Sequence, residues 1–232
     1  MLKLDPAPKV ITFDCYGTLV QWHRAVQEAA LAILSRHILQ EATPDQATAL
    51  ADRLREVAVT HQQRAPFRRY RSVLQSSLDE ALAETGHTAT PDDQETLLSI
   101  LCRIAPHPEV PAALDRLRAH YRLAIISNTD DDLIAGTVAA IDTPIDFVVT
   151  AQQAQTYKPD HQLFLYAYAA MGVTQDETVH VGMGQFTDLK VCHELGIRSV
   201  WIDRLGEPAN PNWPPDAVLN DLSGLLELLL PS

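Results

Sequence analysis

Five short, β-branched apolar runs, at residues 10–14, 123–127, 147–150, 179–183 and 199–203, are separated by longer stretches with helical spacing. The helical stretches between the later runs fall at 110–120, 130–140, 160–171 and 187–195. Strands that alternate with helices imply a parallel sheet, because each parallel connection must cross over the sheet face. The fold class expected is therefore α/β, a Rossmann-like parallel sheet. In such sheets the ligand cleft lies at the carboxyl ends of the strands. Asp14, Ser127 and Met183 all sit at such ends.

The first two runs are about a hundred residues apart, far more than one crossover helix needs. Most of this gap, from about residue 22 to 101, carries helical spacing at 25–39, 47–59 and 73–82. Thr43-Pro44 and Thr90-Pro91 each read as an N-cap followed by a first-turn proline. The expected organisation is a core of residues 1–21 and 102–232 with a helical cap inserted at 22–101. The cap would meet the core above Asp14. Residues 206–215, rich in Pro and Asn, read as a loop, and 222–230 as a short closing helix.

A chain of 232 residues with 46% hydrophobic content can bury one sizeable core. Its formal charge of −12 argues against nucleic acid as a partner, since phosphate binding needs clustered cations. No apolar run approaches the roughly 20 residues that span a bilayer, and residues 1–10 lack the apolar core of a secretion signal. The expectation is a cytoplasmic protein with no membrane partner. Its three cysteines, Cys15, Cys102 and Cys192, are too scattered for a zinc site and fit reduced thiols.

Four stretches carry candidate chemistry. In "VITFDCYGTLV" an apolar run ends on Asp14 and enters a Gly-Thr turn. That delivers a carboxylate nucleophile to a cleft, with Thr18 supplying a hydroxyl, or else caps a turn. In "LAIISNTDDD", Ser127 and Asn128 follow a strand and either hold an anionic oxygen or cap the next helix, whose first turn Asp130–Asp132 would favour. In "YKPDHQLF", Lys158 is one of only four lysines; it either pairs with a carboxylate or lies in an exposed loop. In "VHVGMGQFTDLKV", Gly182 and Gly184 lead to Asp188, which either reaches the cleft or ends a helix. Cys15 points away from Asp14 in an extended segment and reads as packing. His23, where the chain leaves for the cap, either contacts substrate at the cleft mouth or is a surface histidine, the second being the preferred reading.

In their order, these four stretches resemble the motifs of the haloacid dehalogenase superfamily. "FDCYGTL", "YKPD" and "GIRSVWIDR" are most similar to its type II (S)-2-haloacid dehalogenase branch. The resemblance implies a Rossmann-like core with a helical cap. It implies Asp14 as nucleophile, Lys158 as its partner, and Thr18, Ser127 and Asn128 as contacts to substrate oxygens. It also implies Asp188 as the group that orients water, and no metal and no cofactor. The phosphatases of the superfamily carry acids where this chain has Tyr16 and Met183. The first protonates a poor leaving group and the second helps to hold Mg²⁺. Halide leaves without a proton, so one carbon–halogen chemistry accounts for both losses.

The dehalogenases carry Ser at the place of Met183, Asn at that of Gln185 and a substrate-contacting Tyr at that of Phe164. Tyr16, Gln185 and Phe164 are accordingly expected to contact the substrate, a small 2-substituted carboxylic acid. The halide-accepting arginine of that branch lies in the cap, where Arg53, Arg55, Arg64, Arg68, Arg69 and Arg71 crowd together. Hydrolysis of another activated bond, as in a small cyclic amino acid, a phosphatase and a non-catalytic binding protein stay open. The apolar cap helices fit a homodimer, or packing within one chain.

Overall fold

In the computed structural model, residues 5–38 and 41–229 are described. Leu39 and Leu230, the last residues of two helices expected from the sequence, lie outside them. Six strands form one parallel sheet: β1 (Val10–Phe13), β2 (Arg122–Ser127), β3 (Phe147–Thr150), β4 (Thr178–Gly182), β5 (Arg198–Ile202) and β6 (Ala217–Leu219). Their spatial order is β3-β2-β1-β4-β5-β6. Phe13 stands opposite Ile125 on one side and Val181 on the other, so Asp14 emerges at the centre of the carboxyl edge. The chain order reverses at β1, and this is where doubly wound sheets hold their ligands.

Every residue of β1 is buried, as expected of a strand covered on both faces. Its one polar member, Thr12, has its hydroxyl 2.9 Å from His180 Nδ1 on β4. The sixth strand has no counterpart among the five apolar runs. It is three residues long, at the sheet edge and only half-buried, and leaves no hydrophobic signature.

Between β1 and β2 lie four helices, α1 (Trp22–His37), α2 (Pro44–Gln62), α3 (Tyr70–Glu84) and α4 (Pro91–Leu101), followed by α5 (Val110–Leu117). Thr43 and Thr90 begin α2 and α4 with capping boxes, each with proline in the first turn. Helix α1 packs on α2 and α4, and α2 on α3, and residues such as Ile33, Leu54 and Leu78 are buried within the chain. The remaining helices are α6 (Asp131–Ile141), α7 (Ala151–Ala154), α8 (His161–Met171), α9 (Lys190–Leu195) and α10 (Leu225–Leu229). A π-helical turn at Gln185–Leu189 precedes α9.

One buried carboxylate ties the inserted helices to the sheet. Asp130, after β2, accepts from the backbone amides of Tyr70 (2.9 Å) and Arg71 (3.0 Å), at the start of α3. It thereby satisfies amides that a helix N-terminus leaves without partners. Arg69 and Arg71 both reach Asp132, and Tyr157 Oη donates to the carbonyl of Arg68 at 2.6 Å. Asp130 and Asp132 thus serve the junction, and Asp130 caps a helix from the insert, not its own.

Candidate active site

Asp14 lies at the floor of a cavity of about 230 Å³ between the strand ends and the inserted helices. The turn after it requires Gly17, whose φ of +88° is one that side chains other than glycine rarely adopt. This turn brings Thr18 back so that its Oγ1 donates to Asp14 Oδ2 at 2.8 Å. Thr18 Oγ1 in turn accepts from the backbone amide of Met183 at 2.9 Å. With its acceptor side engaged, the hydroxyl proton is free to point at the carboxylate.

Lys158 is buried and spends all three ammonium protons. Its Nζ donates to Asp14 Oδ1 (2.8 Å), Asp188 Oδ1 (2.6 Å) and the carbonyl of Ile126 (2.9 Å). Burial alone would lower its pKa, but Asp14 and Asp188 outweigh that and raise it above the ordinary lysine value. The loop bearing it is fixed by Asn128, whose Oδ1 accepts from the Lys158 amide (2.7 Å) and whose Nδ2 donates to the Lys158 carbonyl (3.0 Å). Asn128 Nδ2 also reaches Gln62 on α2 at 3.0 Å.

The two carboxylates differ in how fully they are engaged. Asp188 Oδ1 accepts from Lys158 and from His180 Nε2 at 3.2 Å. Its Oδ2 accepts from the Gly184 amide and Thr187 Oγ1, both at 3.1 Å. Four donors saturate it, it is fully buried, and it is absent from the cavity wall. Burial pushes its carboxyl up, but Lys158 and His180 prevail and hold it well below the ordinary range. Asp14 has two donors only among the described residues, and it faces the cavity. Burial raises its carboxyl above the ordinary value, Lys158 acts against this, and Asp188 adds to it. Gly184 permits the close approach, since a Cβ there would lie 2.0 Å from Thr187 Oγ1 and 2.8 Å from Asp188 Oδ2.

Of the other sequence candidates, Tyr16, Ser127, Asn128 and Gln185 line the cavity. Ser127 Oγ is buried without a hydrogen-bond partner among the described residues, which leaves a donor and acceptor for a ligand. The Tyr16 ring lies 5.1 Å from that of Trp22, and its Oη accepts from Thr129 at 3.4 Å. The amide of Gln185 is taken up by the following loop: Nε2 donates to the Pro208 carbonyl (3.1 Å) and Oε1 accepts from the Asn210 amide (2.6 Å).

Phe164 is a correction. It is fully buried beneath the sheet, edge-on to His180 with centroids 4.9 Å apart, and does not reach the cavity. The reason is periodicity: Leu163, Phe164, Ala167, Tyr168 and Met171 form the buried stripe of α8. Of the two readings of His23, the surface one does not hold: the residue lines the cavity and is half-buried. Burial, then Arg55, lowers its pKa to about 4, so it is neutral at pH 7.

Among the six crowded arginines, Arg55 alone contributes to the cavity wall. Arg53 pairs with Glu84, Arg69 and Arg71 with Asp132, Arg68 with Ser76, and Arg64 leans on His61. Sequence reasoning missed Trp22, Ala58, Val59 and Tyr70 in the wall and His180 behind Asp188. The stripe Arg55, Ala58, Val59, Gln62 recurs at helical spacing on α2 and could have signalled a shared face. It does not say which face meets the core.

A carboxylate held by an ammonium and a hydroxyl at the switch point of a doubly wound sheet defines a hydrolase with the equipment for an aspartyl ester. Residues 8–196 match the family model of haloacid dehalogenase-like hydrolases, and the chain belongs to that family. The (S)-2-haloacid dehalogenase 4A of Burkholderia cepacia is 27% identical over 229 residues, which covers 95% of this chain and 94% of that protein. A dehalogenase solved as an intermediate complex superposes with a TM-score of 0.85 at 24% identity, over 97% of this chain and 99% of the other. The Xanthobacter autotrophicus L-2-haloacid dehalogenase, solved with chloropropionic acid covalently bound, gives 0.83 at 21% identity, over 96% and 98%. At these identities the two structures speak for the fold.

Proposed function

We propose that the protein hydrolyses the carbon–halogen bond of a 2-haloacid through an ester on Asp14 and releases the 2-hydroxy acid. The observation that carries this reading is a carboxylate with unused acceptor capacity, facing a cavity and flanked by Tyr16 and Met183 where a phosphatase needs acids. The comparisons support the substrate class through the relatives' names alone.

In the first step an oxygen of Asp14 attacks C2 from the side opposite the halogen. The C–O bond forms as the carbon–halogen bond breaks, and halide leaves with the bonding electron pair. Arg55, the one crowded arginine in the wall, is assigned to receive it. The substrate carboxylate is assigned to the free Ser127 hydroxyl. In the second step water adds to the ester carbonyl of Asp14. The oxygen of Asp14 not in the ester bond stays beside Lys158 or Thr18, either of which steadies the developing oxyanion. Collapse expels the 2-hydroxy acid and restores the Asp14 carboxylate, and one proton is released per turnover. Asp188 acts here as counter-ion to Lys158, because its four donors and burial leave no lone pair for water. This replaces the water-orienting role implied by the resemblance.

The inserted helices serve as a cap that supplies Arg55 and the apolar wall. The three free cysteines fit a reducing, cytoplasmic setting. The test is chloride release from racemic 2-chloropropionate in EDTA, with Asp14→Asn as control. Release that survives EDTA and vanishes in the variant is expected. Absence of release from the folded protein, with phosphoester hydrolysis on adding Mg²⁺, would replace this reading by a phosphatase.

A further inference from the structure

We infer that the preferred substrates are 2-haloacids with an extended apolar chain on C2, of about four carbons, rather than the three-carbon acid. The inference rests on the function proposed above and concerns the size of its substrate. Three observations carry it. The cavity measures about 230 Å³, whereas one water needs roughly 10–15 Å³ on that measure. It therefore has room several-fold beyond a methyl-substituted haloacid. Second, the groups that hold the carboxylate and the reacting carbon lie at the floor, Ser127 for the one and Asp14, steadied by Lys158, for the other. Third, above them Trp22, Val59 and Tyr70, with the small Ala58 behind, form an apolar face bordered by His23, Arg55 and Gln62. A chain on C2 would rise from the floor along this wall.

The stripe on α2 explains why the space is there. Its four cavity positions place two small apolar residues, Ala58 and Val59, between Arg55 and Gln62. The polar ends of the stripe are set one turn away on each side, so apolar contact is confined to the middle. Each buried methylene favours binding by about 0.8 kcal/mol, roughly a fourfold gain. Replacing the methyl of 2-bromopropionate by the butyl of 2-bromohexanoate adds three such groups. Partial burial of these leaves an expected gain in kcat/KM of about tenfold.

The experiment measures bromide release from 2-bromohexanoate and 2-bromopropionate, which share a leaving group, and reads the ratio of their kcat/KM values. A ratio of about ten in favour of the hexanoate is expected. In Val59→Phe, where the ring occupies the middle of the wall, the ratio should fall below one. In Val59→Ala, a smaller change that the helix tolerates, it should rise or hold. A ratio of one or less in the parent protein overturns the inference and leaves the dehalogenase reading intact. A ratio unmoved by both substitutions overturns the role given to this wall. Bromide from neither acid overturns the dehalogenase reading, and the inference with it.

Discussion

The floor and the roof of the cavity are built on opposite terms. The floor comes from the ends of β1, β2 and β4 and the loop at Lys158. Its polar groups are buried and largely spoken for, with Lys158 bonded three times and Asp188 four times. The roof comes from α1, α2 and the start of α3. Its groups are apolar, or polar and half-exposed; His23 has no hydrogen bond among the described residues, and Arg55 has a 3.4 Å contact to Asp52. A floor of this kind fixes one chemistry, because moving Asp14, Lys158 or Asp188 leaves a buried charge without its partner. A roof of this kind sets size and shape, and can change one side chain at a time.

Substitutions should divide along that line, with the largest effect at the floor. Asp14→Asn should lower turnover at least about 10⁴-fold, with the fold retained, since a nucleophile has no substitute. Lys158→Met should abolish activity and also cost about 3–5 kcal/mol of stability, measured by urea unfolding, because two buried carboxylates lose their shared cation. Ser127→Ala should raise KM by about 10–100-fold, the value of a hydrogen bond to a charged group. Its stability should stay within about 0.5 kcal/mol of the parent, as its hydroxyl has no protein partner to lose. At the junction of the two regions, Arg71→Ala should cost less than about 1 kcal/mol, because its pair with Asp132 is half-exposed. Equal losses of kcat/KM in Ser127→Ala and Arg71→Ala would erase the contrast.

The contrast also has a pH signature. Asp14 must be ionised to attack, and its pKa is raised, so kcat/KM should fall on acidification at a pH above that of an ordinary carboxylate. Asp188 runs the other way. Its folded pKa is depressed, so the stability it contributes is present above its unfolded value and is lost as pH falls through the folded one. Activity should therefore fail in acid before the fold does. Parallel rate and unfolding profiles would check this, and coincident loss of both would refute it.

The floor was legible in the sequence and the roof was not, for a physical reason. A nucleophile at a strand end is constrained by its neighbours in the chain: an apolar run before Asp14, a glycine three residues after it, a hydroxyl at Thr18. Such local demands leave a written pattern. The roof depends on which face of an amphipathic helix meets which loop, and Arg55 looks like Arg53 or Arg68 until α2 is docked. Phe164 failed for the same reason. A motif position was carried over as a contact, while the α8 stripe turned it to the sheet. Gln185 was legible as a cleft residue; its capture by the loop at 208–210 was not, because that loop has no periodic signal. The parallel sheet itself was read from five runs, and only the three-residue edge strand escaped.

The central claim is that Asp14 forms a bond to the substrate. A single turnover with enzyme in excess, in water enriched in heavy oxygen, tests it directly. If Asp14 is esterified and water attacks its carbonyl, the heavy atom enters the Asp14 carboxylate, and the first molecule of 2-hydroxy acid carries ordinary oxygen. Peptide mass spectrometry should find the label on the fragment containing Asp14. Heavy oxygen in the first product, with none in that peptide, would mean that water attacks the substrate itself and would contradict the account.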